Sequence, residues 1–260
     1  MKTAASALDD TGHTLTRKGR DMRVRVREWA VGDDRGTMIV VGPVTDGCLV
    51  RIHSRCMYGD VLASDDCDCG PELDTAMDRI QAAGCGVLVY LDQEGRGAGL
   101  IVKARSLRHS EEHGVDTFAS YAALQHEPDV RSYEQAAIAL SELGLTSVRL
   151  LTNNPDKIEA VHAAGIAVER VPLITEARSE RARAYLDAKR RIRGHLLPGV
   201  SFDGITRFPD VERFGESQIE PRWVDHAEVA DATPRLTLQG LNDTLVTVHP
   251  AEQLVDIVDR

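Results

Sequence analysis

Strand-like and helix-like runs alternate along this chain, and the alternation predicts an α/β fold, mixed with some α+β character, whose partly parallel sheet is flanked by helices. Two short, mostly apolar runs carry the strand half of that expectation: "GVLVYL" (86–91) and "SVRLLT" (147–152), each bounded by turn residues. Two stretches carry the helical half. "PELDTAMDRIQAAG" (71–84) spaces Leu73, Met77 and Ile80 for one face and ends on Gly84, where a C-cap belongs. "NNPDKIEAVHAAG" (153–165) has the same form.

In chain order, residues 1–36 are polar and are expected to form a flexible N-terminal segment. "TMIVVGPV" (38–45) and "GCLVRIHS" (47–54) are β-rich runs broken by Gly and Pro. The helix at 71–84 and the strand at 86–91 follow, then a helical stretch over about 99–113. "SYEQAAIALSELG" (132–144) is a further helix ending on Gly144, and "IAVERVPLI" (166–174) closes the alternation. "ARSERARAYLDAKRRIRGH" (177–195) reads as a basic helix, its arginines and lysines expected on a solvated face. A catalytic domain is therefore expected over 37–198. Beyond it, 199–260 is rich in Pro, Gly and Asp, with alternating β-like runs and no chemical motif.

The composition restricts the function classes. With 31 Lys plus Arg against 41 Asp plus Glu, the net charge of −10 argues against sequence-independent binding to DNA or RNA. It leaves room for a small anion held by a few placed cations. No stretch has the roughly 18 consecutive apolar residues of a membrane span, and the opening residues hold no apolar run of signal-peptide length. The expected location is the cytoplasm. There, five cysteines, an odd number, point to metal binding or catalysis rather than to a disulfide framework.

Three of the five fall within "CMYGDVLASDDCDCG" (56–70), as Cys56-x10-Cys67-x-Cys69. Three thiols with a fourth position left for water is the arrangement of a catalytic zinc. The alternative is a structural site completed by His53, three residues before Cys56, or by Cys48 or Cys85. Cys85, at the start of an apolar strand, suits a small core residue better. A second constellation is "QEGRGAGL" (93–100), which follows a strand and opens a helix. Its glycines allow close backbone approach, and Arg96 offers a fork of donors to phosphate. "LLTNNPDKIE" (150–159) has a similar form, with Lys157 in the first helical turn. Polar turns at the carboxyl ends of strands are where α/β folds bind ligands. For Asn153 and Asn154, plain helix capping is an equal reading.

Together, "RIHSRC", "GDVLASDDCDCG", "QEGRGAGL", "GVDT", "DVRSY" and "LLTNNPDKIE" resemble the GTP cyclohydrolase II family, zinc enzymes that open guanine in riboflavin biosynthesis. The resemblance covers about residues 47–197. It implies one zinc per chain on Cys56, Cys67 and Cys69, with Mg2+ accompanying the substrate phosphates. It implies an acid–base role for Asp129 and a nucleophilic or phosphate-clamping role for Arg131. Arg51, Glu94, Gly95, Arg96, Thr117, Thr152 and Lys157 match positions that hold the nucleotide, and His53 of "RIHSRC" lies among them. A homodimer is expected by the same analogy.

Departures from the family pattern cluster. Leu107, in "KARSL", stands where the family has a catalytic tyrosine. Ala119, in "DTFASY", stands where the family has the glutamate of "DTVEAN". Arg55 replaces a glutamate, Asp65 and Asp66 replace "LR", and Glu72 replaces a glutamine. A carboxylate is the natural acceptor for the two donors on the guanine edge, so its loss implies a changed base. The favoured expectation is a zinc cyclohydrolase that opens the ring of a uracil nucleotide, since family relatives occur in uracil-degrading routes. The alternatives are GTP as substrate, fully converted or stalled at a formylated intermediate, and a non-catalytic nucleotide-binding module with a structural zinc.

Overall fold

The structure, a computed structural model, describes residues 10–32 and 34–197 in full and, beyond them, five short strands by their backbone. The chain divides into two compact units, residues 1–197 and 198–260.

The first unit is built on a seven-stranded sheet of order β1-β2-β3-β5-β4-β6-β7. Its strands are β1 (His13–Arg17), β2 (Arg20–Val31), β3 (Asp34–Val41), β4 (Cys48–Ser54), β5 (Gly86–Leu91), β6 (Ser147–Leu151) and β7 (Ala167–Val171). Neighbours from β1 to β5 pair antiparallel, whereas β5, β4, β6 and β7 run parallel. The helices are α1 (Cys69–Ala83), α2 (Leu100–His113), α3 (Thr117–Ala123), α4 (Glu134–Ser141), α5 (Pro155–Ala163) and α6 (Glu180–Arg193). The α/β expectation, with its partly parallel sheet flanked by helices, matches this architecture.

Central strand β4 shows how the sheet makes a site. Side chains alternate across a strand. Cys48, Val50 and Ile52 enter a core shared with Val87, Val89, Leu140 of α4 and Val161 of α5. Leu49 enters the opposite core, with Ala76 and Ile80 of α1. Arg51 and His53 continue that second face beyond the apolar cluster and are also buried. On α1 the buried row is Glu72, Ala76 and Ile80, four residues apart. The helix therefore sets its apolar end against Leu49 and its acidic end against Arg51.

The expected flexible segment over 1–36 is corrected where it is described: residues 13–17, 20–31 and 34–36 are strands of the main sheet. The run "RDMRVRVREW" is polar by composition but alternates by position, and Met22 and Val24 are buried. Residues 1–9 lie outside the described residues. The expected solvated face of the 177–195 helix needs a correction too. In α6, Ala182 and Ala188 are buried and Lys189 turns inward onto Asp68. In the second unit, β8 (Gly199–Val200) pairs with β9 (Thr206–Arg207), and β10 (Leu236–Gln239), β11 (Leu245–Val248) and β12 (Val255–Val258) form an antiparallel sheet. The rest of the expected 199–260 extension lies outside the described residues.

Candidate active site

At the carboxyl end of β4 the chain enters a five-residue π turn, Met57–Val61, capped by Cys56. The Cys56 sulfur accepts the Gly59 amide at 3.3 Å. Cys67 and Cys69 arrive from the start of α1. The two segments meet through glycines: a β-carbon on Gly59 would lie 2.9 Å from Cys67 Sγ, and one on Gly70 2.3 Å from the Gly59 carbonyl. The three sulfurs fall within 4.8 Å of one another. Cys56 and Cys67 Sγ are 3.8 Å apart. A zinc with thiolate bonds of about 2.3 Å in tetrahedral geometry needs sulfurs about 3.8 Å apart, so the donor set and its spacing fit the ion.

Among the described residues no fourth His, Cys, Asp or Glu joins the cluster. His53, the alternative ligand, is committed elsewhere. Arg51 can only donate, so His53 Nδ1 accepts its Nη2 at 3.2 Å and the ring proton sits on Nε2, donated to Asp60 at 3.0 Å. Burial holds the His53 pKa below the usual histidine range. Cys48 and Cys85 pack in or against the core of the opposite sheet face.

Two groups that sequence reading passed over organise the cluster. Asp60 accepts from His53, from the Cys56 amide (3.0 Å) and from the Tyr90 hydroxyl (2.8 Å). Lys103, on α2, places its Nζ 3.1 Å from Cys56 Sγ and 2.8 Å from Glu94 Oε1. Glu94 in turn accepts the Met57 amide at 2.6 Å. Hydrogen bonds from the Cys67 and Cys69 thiols, helped by Lys103, pull the Cys56 pKa far down. The Cys56 thiolate in turn pushes Cys67 up to about 11. Lys103 lies within "KARSL", the stretch noted only for its leucine; its signal was its place in the first turn of the helix that follows "QEGR".

A cavity of about 490 Å3 opens beside the cluster, lined by all three cysteines and by Arg55, Glu94, Gly95, Arg96, Leu107, Thr117 and Arg131. In the "QEGR" turn both Gly95 and Arg96 adopt left-handed backbone, at φ +58° and +57°. The Tyr121 hydroxyl secures that turn by donating to the Gly95 carbonyl at 2.9 Å. The Arg96 guanidinium stacks 3.6 Å over the Phe118 ring, and its two terminal nitrogens are buried without hydrogen-bond partners. Those donors are free for a ligand. Ala119 does not line the cavity. Asp116 caps α3 by accepting the Phe118 and Ala119 amides, and the resulting helical phase buries Phe118, Ser120 and Tyr121 while Ala119 faces solvent.

A second, smaller cavity of about 40 Å3 adjoins the first through Ser54, Cys69 and Arg131 and gathers Arg51, Glu72, Thr152, Lys157, Lys189 and His195. Arg51 donates to Glu72 at 2.6 Å. Lys157 Nζ donates to the Ile52 carbonyl at 2.9 Å. Asn154 caps α5 through the Asp156 amide, and Asn153 binds Glu72 and the Leu173 backbone, so both asparagines act structurally. Lys189 and His195 come from α6 and the residues after it, which the motifs did not reach. Asp129 lines neither cavity. It grips Arg131 through two bonds, 2.8 and 2.6 Å, and turns that guanidinium toward both. Burial works to raise the Asp129 pKa, but Arg131 outweighs it and holds the carboxyl below its ordinary value.

The family model for GTP cyclohydrolase II matches residues 11–172. The GTP cyclohydrolase-2 of Neisseria meningitidis is 46% identical over 169 residues, covering 64% of this chain and 85% of that protein. The Neisseria gonorrhoeae GTP cyclohydrolase-2 is 48% identical over 162 residues, covering 61% and 81%. The riboflavin biosynthesis protein RibBA of Bacillus subtilis is 47% identical over 162 residues, and the chain spans 40% of its length. The α/β fold, the three-thiol cluster and these likenesses define the class, a cyclohydrolase, which hydrolyses C–N bonds of a nucleotide base. Within that class the chain belongs to the GTP cyclohydrolase II family.

Proposed function

We propose that this cyclohydrolase opens the ring of a uracil nucleotide, with zinc on Cys56, Cys67 and Cys69. One observation carries the choice of base: the larger cavity offers no uncommitted carboxylate to the two guanine donors. Glu94 is bound to Lys103 and the Met57 amide, Asp116 to the start of α3, Glu111 to Arg181, and Asp66 to Ser179. Leu107 adds an apolar wall. Uracil, with one ring N–H and two carbonyls, asks for donors, and the terminal nitrogens of Arg96, buried without partners, offer them.

Zinc held by the three sulfurs would lower the pKa of a water to about 7 and so supply the attacking nucleophile. The chain's own residues do the rest. Net hydrolysis forms a C–O bond at a ring carbon, breaks a ring C–N bond and leaves the proton on the departing nitrogen. Arg131, fixed by Asp129, faces both cavities and meets the junction of nucleoside and phosphate. Thr152 and Lys157 hold the phosphate end, beside the Glu72-paired Arg51. Asp129, held below the ordinary carboxylate range by Arg131 and bound to it through both oxygens, serves to position that guanidinium.

GTP is the second reading, favoured by the names of the relatives that are 46–48% identical. The test is to incubate zinc-loaded protein separately with UMP and with GTP, following base absorbance and product mass. Loss of the uracil chromophore with GTP untouched supports the first reading. Conversion of GTP, with formate or a formylated product, replaces it with the second.

A further inference from the structure

Four cations surround the smaller cavity, and three are already neutralised inside the protein. Arg51 pairs with Glu72 at 2.6 Å, Arg131 with Asp129 at 2.6 Å, and Lys189 with Asp68 at 2.6 Å. These carboxylates are themselves withdrawn from water, their side chains 11%, 2% and 2% exposed. The fourth cation, Lys157, is 6% exposed and has no ion-pair partner among the described residues. Its Nζ is satisfied only by the Ile52 carbonyl and the face of Tyr133, 5.1 Å away. A buried ammonium without a counter-charge is costly, and here burial, with Arg51 and Arg131 nearby, pushes its pKa well down. An arriving anion removes that cost. The cavity is also small. Its 40 Å3 holds about three water-sized groups, the space that the outer oxygens of one phosphoryl group need.

We infer that this cavity takes a single phosphoryl group, so the substrate is a nucleoside monophosphate, and that Glu72 is the residue selecting against longer phosphate chains. The inference rests on the reading that a nucleotide occupies the cysteine-lined cavity, but not on which base it carries. The uncompensated charge is one ammonium, which suits a phosphate monoester of charge about −1.5 to −2. A di- or triphosphate brings further negative oxygens toward the buried Glu72 carboxylate, and like charges that close are strongly disfavoured. Glu72 also neutralises Arg51, whose terminal nitrogens are held by Glu72, His53 and the Leu151 carbonyl rather than offered to a second phosphate. A glutamine of the same shape keeps an acceptor for Arg51 but removes the negative charge, leaving the Arg51 cation uncompensated and the repulsion gone.

The experiment is calorimetric titration of the full zinc-loaded chain, in Mg2+-free buffer, with UMP, UDP and UTP and with GMP, GDP and GTP. In whichever base series binds, the wild type is expected to prefer the monophosphate over the triphosphate by about tenfold or more. Glu72→Gln is expected to raise the triphosphate-to-monophosphate affinity ratio by about tenfold. Preference for the triphosphate in wild type, an unchanged ratio in Glu72→Gln, or no binding by any of the six overturns the inference. The wild-type series needs no variant to fold. Preference for guanosine over uridine with the monophosphate favoured would remove the uracil reading and leave this inference standing, whereas the reverse pattern would do the opposite.

Discussion

Lys103 Nζ lies 3.1 Å from Cys56 Sγ and 2.8 Å from Glu94 Oε1, tying the first helix after the "QEGR" turn to the cysteine cluster. Three thiolates around a divalent cation carry one net negative charge, and this ammonium is the nearest compensation. Removing such outer partners typically costs about 10–100-fold in metal affinity. Lys103→Met is therefore expected to weaken zinc binding by about tenfold or more in competition with a chromophoric chelator, with Lys103→Arg intermediate. Equal affinity in wild type and Lys103→Met would remove the metal-supporting role.

Gly59 makes a sharper steric prediction. A β-carbon there would sit 2.9 Å from both Cys67 Sγ and Cys69 Cβ. Gly59→Ala must push the π turn away from the start of α1 and open the three-sulfur triangle. Substoichiometric zinc after dialysis, with an unaltered far-ultraviolet circular dichroism spectrum, is the expected result. Full zinc occupancy would mean that the two segments can separate without loss.

The Asp129–Arg131 pair predicts a stability effect separable from turnover. Both groups are nearly out of solvent, their side chains 2% and 17% exposed. Asp129→Asn leaves a buried guanidinium without its counter-charge, which costs about 3 kcal/mol or more in such settings. Urea unfolding should show that loss, and adding Arg131→Met should recover part of it. A single variant as stable as wild type would contradict the geometry.

His195 predicts a pH dependence. Burial, with Lys189 beside it, pushes its pKa down to about 2 from the ordinary 6.5. Below pH 6.5 the unfolded chain takes up a proton that the folded chain refuses, so stability falls as pH falls, by about 1.4 kcal/mol per unit per group. Between pH 7.5 and 5.5, wild type should lose about 1.4 kcal/mol more than His195→Gln, read from urea midpoints. His53 titrates in the same direction but is common to both proteins. Identical pH slopes would show that His195 titrates alike in the folded and unfolded chains and is not held neutral by the fold.

Much of this protein could be read along the chain because its signals are local. Strand β5 and helix α1 are contiguous patterns, and the three cysteines lie within fourteen positions, so periodicity and spacing expose them. The N-terminal strands were missed for a local reason as well: arginines at alternate positions make "RDMRVRVREW" polar on average although Met22 and Val24 face a core.

What the sequence by itself determined is the fold class, the cluster of three thiols and the two turns that line the cavities, since each depends on neighbours a few residues apart. Only the tertiary structure decided how those parts are charged. Lys103 reaches Cys56 across 47 positions and Lys189 reaches Asp68 across 121, while Glu72 neutralises Arg51 from a different element. The same holds for Ala119, which helical phase turns to solvent although the sequence set it in the base site. Hydrophobic periodicity and turn chemistry act over one element at a time, but a buried charge finds its partner through the packing of several. The choice of substrate rests on those partners.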